Sequence, residues 1–215
     1  MGRADLDSKQ ALQAVVLADS FSRHLAPVTY ARPKALLPLV NTPLIEYALH
    51  FLEVNGVEEV FVVCRAFAGE ITRHLDETAH SKVSIRTIIV SDECCSVGDV
   101  FRHLDAMEII QSDPFVVIGA DTVADLDLRR VLQQHKQRSE ADPLNIMTVI
   151  FNRAEPKHRV RSHGDELMVA ISESTQQLLS YESDCRRSFI DTEIEVMRGQ
   201  TEVGGTEFPL KPLAP

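Results

Sequence analysis

Short apolar runs alternate with amphipathic segments along the first 151 residues of this chain. The mainly apolar runs lie at 12–18, 57–64, 83–90, 115–118 and 145–151 and predict five strands, of which 12–18 and 57–64 are expected to be buried and 115–118 is apolar throughout. The segments between them have apolar residues at helical spacing and lie at 43–55, 67–77, 97–110 and 127–137. Strands that alternate with helices of this length need right-handed crossovers. The sequence therefore predicts an α/β, Rossmann-like fold with a mainly parallel sheet flanked by helices.

The helix predicted at 43–55 has the clearest signals at its ends. Thr42 is a suitable N-terminal cap, Pro43 is compatible with the first helical turn, and Gly56 is a common terminator. By the same reasoning, the helix at 97–110 is expected to start at or near Ser96.

Beyond residue 151 the pattern changes. A polar segment follows, and then two short runs, 166–172 and 176–182, predict a hairpin around residues 173–175. The remainder of the chain is rich in Glu, Gly and Pro, with a candidate strand at 190–197.

These patterns suggest three parts. We expect a flexible N-terminus over 1–11 and one domain over 12–182. Residues 183–215 are expected to be an incomplete or weakly ordered segment of a longer protein that has been truncated.

The chain is acidic, with a net charge of −10 and a pI of about 5.2. Such a chain is not expected to bind nucleic acid directly, and anionic membranes would repel it. No apolar run approaches the roughly 20 residues of a membrane span, and the polar N-terminus lacks a signal region. The four cysteines have no metal-ligand spacing; they are Cys64, Cys94, Cys95 and Cys185. We therefore expect a reduced, cytoplasmic protein with no cofactor.

The turn after the first strand carries the most informative residues. Residues 17–25 read LADSFSRHL, which resembles the L-A-G-G-x-G-T-R-L turn of the sugar-nucleotide pyrophosphorylase family. In that family, backbone N–H groups of this turn hold a nucleoside triphosphate. By this resemblance, Asp19, Ser20 and Ser22 stand where the family has glycine, and His24 stands where it has arginine.

These replacements oppose nucleotide binding on physical grounds. Glycines let the backbone adopt positive φ and approach phosphate, whereas Asp19 and Ser20 add side chains there. Asp19 also adds charge, and two like charges about 4 Å apart repel by roughly 4 kcal/mol at an effective dielectric near 20. His24 is largely neutral near pH 7, unlike arginine. The pocket is therefore expected to be vestigial, with no catalytic residues and with nucleotidyltransferase activity lost.

Two further residues belong to this vestigial pocket. The resemblance implies that Lys34 matches the lysine that contacts phosphate in active enzymes, and that Asp121 matches the aspartate that holds Mg²⁺. Asp121 ends the motif Gly119-Ala120-Asp121, in which Ala120 replaces a glycine of the family motif. One carboxylate without a second ligand is insufficient to predict a metal, so no metal site is expected. Asp121 and the turn containing Asp19 each follow a strand, so both are expected at the carboxyl edge of the sheet.

A more specific resemblance covers residues 12–182. It rests on the segments LQAVVLADSFSRHLAPVT, LLPLVNTPLIEYAL, GVEEVFVVC, SVGDV and NIMTVIFNRAEPKHRVR. These are similar to the N-terminal pyrophosphorylase-like domain of the epsilon subunits of eukaryotic translation initiation factor 2B. The L-A-D-S-F form of the turn distinguishes this group from active pyrophosphorylases. The gamma subunits are the nearest group with which it could be confused.

This resemblance implies a nucleotide-diphospho-sugar transferase fold used for assembly rather than for chemistry. The epsilon subunits serve the exchange factor that recharges initiation factor 2 with GTP. The implied partners are the other subunits, chiefly gamma, and initiation factor 2 through the full-length subunit. In this group the exchange activity lies in a separate helical domain, so the chain is expected to be a scaffolding and regulatory fragment. Two alternatives stay open: an active sugar-1-phosphate nucleotidyltransferase of the mannose-1-phosphate guanylyltransferase type, and a module that binds a nucleotide without turnover.

Overall fold

A computed structural model describes residues 11–18, 25–78, 83–151, 167–172 and 174–183. The chain divides into two compact units, Met1–Thr148 and Val149–Pro215. The domain limits expected from the sequence stay predictions. The candidate strand at 190–197 lies outside the described residues.

The first unit is built from alternating strands and helices. Its described strands are β1 (Gln13–Leu17), β2 (Pro38–Leu39), β3 (Thr42–Pro43), β4 (Glu59–Cys64), β5 (Ser84–Ile89) and β6 (Val116–Gly119). Its described α-helices are α1 (Leu44–Val54), α2 (Ala68–Glu77), α3 (Val97–Ala106) and α4 (Leu128–Ala141). None of the helices in the described part of the chain is long and apolar enough to cross a membrane.

Strands β1, β4, β5 and β6 form a parallel sheet in the order β5-β4-β1-β6. The register places Val15 of β1 beside Phe61 on one side and Val117 on the other. Helix α1 connects β1 to β4 and α2 connects β4 to β5, so the chain moves towards one edge of the sheet. Helix α3 connects β5 to β6 and so returns the chain to the other side of β1. Right-handed crossovers therefore place α3 on the opposite face of the sheet. The predicted parallel sheet flanked by helices is confirmed.

The face covered by α1 and α2 carries the larger core. Helix α1 buries an apolar stripe with the spacing of one helix face, made of Ile45, Ala48, Leu49 and Leu52. Gly56 follows with φ of +84°, a left-handed conformation that ends the helix as predicted. Helix α4 packs on the same core through Leu128.

Helix α3 covers the other face, where Val100 and Leu104 pack against Val15 of β1. It begins after Ser96, as expected. The Ser96 hydroxyl accepts the N–H of Asp99 at 3.2 Å, and the Asp99 carboxylate accepts the N–H of Ser96 at 3.0 Å, forming a capping box. The hydrogen bond from the Ser96 side chain, followed by that from Arg102, lowers the pKa of Asp99 to about 2.

A buried amide ties the start of β1 to the segment before β6. Gln13 is 6% exposed, and its Oε1 accepts the N–H groups of Gln111 at 2.6 Å and Ser112 at 2.9 Å. Its Nε2 donates to Glu59 of β4 at 2.6 Å, and Glu59 pairs with Arg86 of β5 at 3.0 Å. A polar chain therefore crosses the amino-terminal edge of the sheet.

The start of α1 differs from the prediction. Thr42 does not cap the helix, because Thr42 and Pro43 pair with Leu39 and Pro38 in a small antiparallel hairpin. Val40 lies at the tip of this hairpin with φ of +62°, and it is 91% exposed. A β-branched side chain is strained in that conformation, and exposure leaves it no compensating burial.

The fifth strand predicted at 145–151 is not observed, and that prediction is wrong. The segment has no ladder partner among the described residues, and Ile146 is 88% exposed. Helix α4 instead continues to Ala141, beyond its predicted end at residue 137. Apolar, β-branched composition favours a strand, but a strand also needs a partner for its N–H and C=O groups, and local sequence does not specify that partner.

The described strands of the second unit form the predicted hairpin. Strand β7 (Leu167–Ile171) pairs antiparallel with β8 (Leu178–Ser183), with a register irregularity between Ala170 and Ile171. The N–H of Gln176 donates to the carbonyl of Ser172 within the connecting turn.

Candidate functional site

The neighbouring strands β1 and β6 end at the same level of the sheet, where Leu17 pairs with Gly119. The N–H of Ala18 donates to the Val63 carbonyl at 2.9 Å, and the N–H of Ala120 donates to the Leu17 carbonyl at 2.9 Å. The loops that leave these strands therefore start side by side at the carboxyl edge. In open parallel sheets this edge is where ligands bind.

Lys34 and Asp121 meet at this edge. Lys34 opens a short 3-10 helix, Lys34–Leu36, directly after Pro33, and Asp121 is the second residue after β6. The Lys34 Nζ lies 2.5 Å from Asp121 Oδ2, and the side chains are 20% and 34% exposed. The two candidate residues thus form a partly buried ion pair with each other.

Gly119 allows the Asp121 carboxylate to fold back over the end of β6. A Cβ on Gly119 would lie 2.7 Å from Asp121 Oδ1 and 3.3 Å from Thr122 Oγ1. The turn is closed by the N–H of Thr122, which donates to the Gly119 carbonyl at 3.1 Å. A larger residue at 119 would push the carboxylate away. Sequence reasoning used Gly119 only as part of a motif and did not identify this requirement.

The arrangement limits what the pair can bind. A lysine ammonium can hold a phosphate, and a carboxylate can hold a cation, but here each satisfies the charge of the other. Within the described residues there is no group of three or more His, Cys, Asp or Glu side chains that could hold a metal. Binding of a nucleotide and its Mg²⁺ by Lys34 and Asp121 would first require the ion pair to separate.

The other four candidate residues, Asp19, Ser20, Ser22 and His24, lie outside the described residues. Their role in a vestigial pocket stays a prediction. The structure describes the residues on either side of this turn. Before it, the N–H of Ala18 donates to Val63 of β4, and after it the described chain resumes at residue 25.

Sequence reasoning missed one basic residue at the same edge. Arg65 directly follows β4, and its Nη1 donates to the Cys94 carbonyl at 3.2 Å. A basic residue immediately after a buried strand was the available signal. Cys94 is buried and Cys95 is exposed, and both are free thiols. Arg65 therefore anchors the loop that leads into α3.

Comparison with known proteins gives a consistent picture. Residues 13–159 match the family described as nucleotidyl transferase. The chain is 38% identical over 200 residues to translation initiation factor eIF2B subunit epsilon of Schizosaccharomyces pombe, covering 91% of this chain and 29% of that protein. It is 37% identical over 195 residues to the same subunit of Dictyostelium discoideum, covering 90% and 27%. The chain therefore spans less than a third of the length of these two relatives.

Two other matches are more distant. The eIF2B subunit gamma of Dictyostelium discoideum is 25% identical, over 79% of this chain and 41% of that protein. A putative mannose-1-phosphate guanyltransferase of Sulfolobus acidocaldarius is 27% identical, over 59% of this chain and 34% of that protein.

Among solved structures, a putative glucose-1-phosphate thymidylyltransferase from Bacillus anthracis superposes with a TM-score of 0.59 at 15% identity. The match covers 82% of this chain and 66% of that one. At this level of identity the likeness concerns the fold alone. It agrees with the Rossmann-like nucleotidyltransferase fold expected from the sequence.

Proposed function

The chain belongs to the nucleotidyl transferase family, and we propose that it is a scaffolding and regulatory part of an epsilon-type subunit of translation initiation factor eIF2B. The observation that carries this proposal is the similarity to two epsilon subunits along about nine-tenths of the chain. Matches to sugar nucleotidyltransferases are lower in identity and cover less of the chain. In this role the domain contributes to the factor that recharges initiation factor 2 with GTP, in the cytoplasm.

We further propose that the domain has no nucleotidyltransferase activity. Two features support this. Residues 17–25 lack the glycines with which the active enzymes hold a triphosphate. Lys34 and Asp121 also neutralise each other at the carboxyl edge. The reaction needs a cation and a basic group to stabilise charge on the transferring phosphate, and a closed ion pair offers neither.

A direct assay distinguishes this proposal from its main alternative. The full chain is incubated with GTP, mannose 1-phosphate and Mg²⁺, and released pyrophosphate is measured. We expect no release above background. Asp121→Asn is the matched control, because turnover by this pocket would fall in the variant whereas turnover by a contaminant would not. Wild-type turnover that Asp121→Asn abolishes would establish an active sugar-1-phosphate nucleotidyltransferase.

The proposed partners are the other subunits of the factor, chiefly gamma, with initiation factor 2 engaged through the full-length subunit. Coexpression of this chain with an eIF2B gamma subunit, followed by size-exclusion chromatography, tests the first contact. We expect the two chains to coelute. GDP release from initiation factor 2 should not accelerate when this chain alone is added, and acceleration would overturn the scaffolding role.

A further inference from the structure

Helix α4 has a charge opposite to that of the chain. It carries four permanent cations, Arg129, Arg130, Lys136 and Arg138, against one acidic residue, Glu140. The whole chain has a net charge of −10. In such a chain, basic side chains have many carboxylates available for pairing.

The cations of α4 are nevertheless unpaired among the described residues. The described ion pairs involve Lys34, His74, Arg86 and Arg102, and none involves α4. The one hydrogen bond described for a cation of this helix runs from Arg129 Nη2 to the Val54 carbonyl at 3.5 Å. The positive charge of α4 is therefore available to a partner.

Two neighbouring clefts along α4 are both lined by Arg129 and Asn55. One, of about 540 Å³, lies between the end of α1 and the loop before α4, and it includes Phe51 and Asp125. The other, of about 410 Å³, runs along α4 past Gln133, Lys136 and Gln137. Both are open surface clefts, and we refer to the two together as the groove beside α4.

The wall of this groove is held in place by Asn55. Its Oδ1 accepts the N–H of Leu128, the first residue of α4, at 2.9 Å, and its Nδ2 donates to the Phe51 carbonyl at 2.8 Å. The end of α1 and the start of α4 are thereby linked. A groove formed before binding costs a ligand less ordering free energy.

We propose that this groove binds an extended acidic segment of another protein. We define the basic flank of α4 as Arg129, Gln133, Lys136 and Gln137. Arg129 and Lys136 are seven residues apart and so lie about 10.5 Å apart along the axis of the helix. A peptide in polyproline II conformation places side chains three residues apart on one side, separated by about 9.3 Å. Two carboxylates with that spacing match the two cations, and the glutamines can donate to peptide carbonyls.

The same groove disfavours nucleic acid. Asp125 lies at one end and Glu140 at the other, so a continuous polyanion would meet like charge on both sides of the basic flank. The net charge of the chain adds repulsion that grows with the length of a polyanion. A short acidic segment fits between the two acidic ends. This inference does not depend on the proposed function.

Fluorescence anisotropy tests the proposal with a labelled peptide of two Glu-Pro-Ala repeats, which is short enough to lie between the two acidic ends, titrated with the full chain at low salt. The corresponding Gln-Pro-Ala peptide and a peptide of the same length with two adjacent glutamates serve as ligand controls. We expect the spaced acidic peptide to bind more tightly than both. Arg129→Gln with Lys136→Gln should weaken binding by about tenfold, because two charge-assisted contacts are lost.

The chain offers a control that removes the same charge away from the groove. Arg138 lies about 160° to 180° around α4 from Arg129 and Lys136, and exposed Arg73 lies on α2, so Arg73→Gln with Arg138→Gln changes no residue that lines the groove. This variant should bind within about twofold of wild type, since only long-range attraction changes. Circular dichroism and thermal melts establish that both variants are folded. Equal loss in both variants, or no preference for the spaced peptide, would overturn the proposal. Tighter binding of a 12-nucleotide single-stranded RNA than of the peptide would do the same.

Discussion

Replacing Asp121 by asparagine tests whether the Lys34–Asp121 ion pair closes the pocket. Asparagine preserves the shape of the side chain and its position beside Gly119, but it removes the negative charge. The Lys34 ammonium would then be free to attract an anion. We predict that Asp121→Asn raises the affinity of the chain for a polyphosphate in the absence of Mg²⁺.

The magnitude follows from the distance and exposure of the pair. Two opposite unit charges 2.5 Å apart attract by about 7 kcal/mol at an effective dielectric near 20. The side chains are 20% and 34% exposed, so solvent screening and desolvation reduce the net value to about 1.5 kcal/mol. An anion that no longer competes with Asp121 for the Lys34 ammonium should gain about 1.5 kcal/mol of binding free energy, which is roughly tenfold in affinity.

Isothermal titration calorimetry with inorganic tripolyphosphate measures the change. Asp121→Asn should bind roughly tenfold more tightly than wild type. Adding Lys34→Met to the variant should remove the gain, because the freed ammonium is its cause. The reasoning fails if Asp121→Asn shows no gain, or if the gain survives without Lys34. It also fails if wild type binds Mg-GTP and Asp121→Asn abolishes that binding, since Asp121 would then be a metal ligand.

Three further predictions concern the fold that supports the site. Gln13→Leu should lower the free energy of unfolding by about 3 kcal/mol, because the N–H groups that donate to the Gln13 side chain, including that of buried Ser112, lose their acceptor. A urea midpoint that does not fall would contradict this prediction. Val40→Asn should raise the free energy of unfolding by about 1 kcal/mol, because asparagine tolerates positive φ and the exposed valine side chain contributes no buried apolar area that the substitution would remove. A lower midpoint in urea would show that the strain argument is wrong. The folded-state pKa of Asp99 is below its ordinary value of 3.8, so the stability contributed by the Ser96 cap is present above that pH and is lost as pH falls towards 2. In Asp99→Asn, the melting temperature should therefore fall less steeply as the pH is lowered from 5 to about 2.5. A slope equal to that of wild type would show that the cap does not contribute.

The order of strands and helices in the first unit followed from local patterns. The entirely apolar run 60–64 is driven into the interior wherever it lies, and the strand predicted over 57–64 formed as β4. The start of α3 was likewise set by Ser96, whose hydroxyl reaches an N–H only three residues away. The body and the end of the helix predicted at 43–55 were correct, because its apolar stripe and the terminating Gly56 are both local signals.

Local patterns were insufficient wherever a partner had to be chosen. Thr42 has the chemistry of a cap, but pairing with Leu39 used its backbone instead. Residues 145–151 have the composition of a strand, yet none of the described strands pairs with them. In both cases the outcome depends on which backbone groups lie nearby, and that is a property of the assembled sheet.

The resemblance of the sequence to the pyrophosphorylase family implied that Lys34 and Asp121 are candidate residues, and the apolar run before Asp121 placed it after a strand. It was not enough to show that they neutralise each other. That contact depends on β1 lying beside β6, on the 3-10 helix that presents Lys34, and on the absence of a Cβ at Gly119. The same is true of the groove along α4, which exists because Asn55 joins the end of one helix to the start of another. Apolar runs and the helical spacing of apolar residues are patterns among near neighbours in the chain, so they can be recognised in the sequence. Charge pairing and clefts act across space between residues far apart in sequence, so they appear only once the chain has folded.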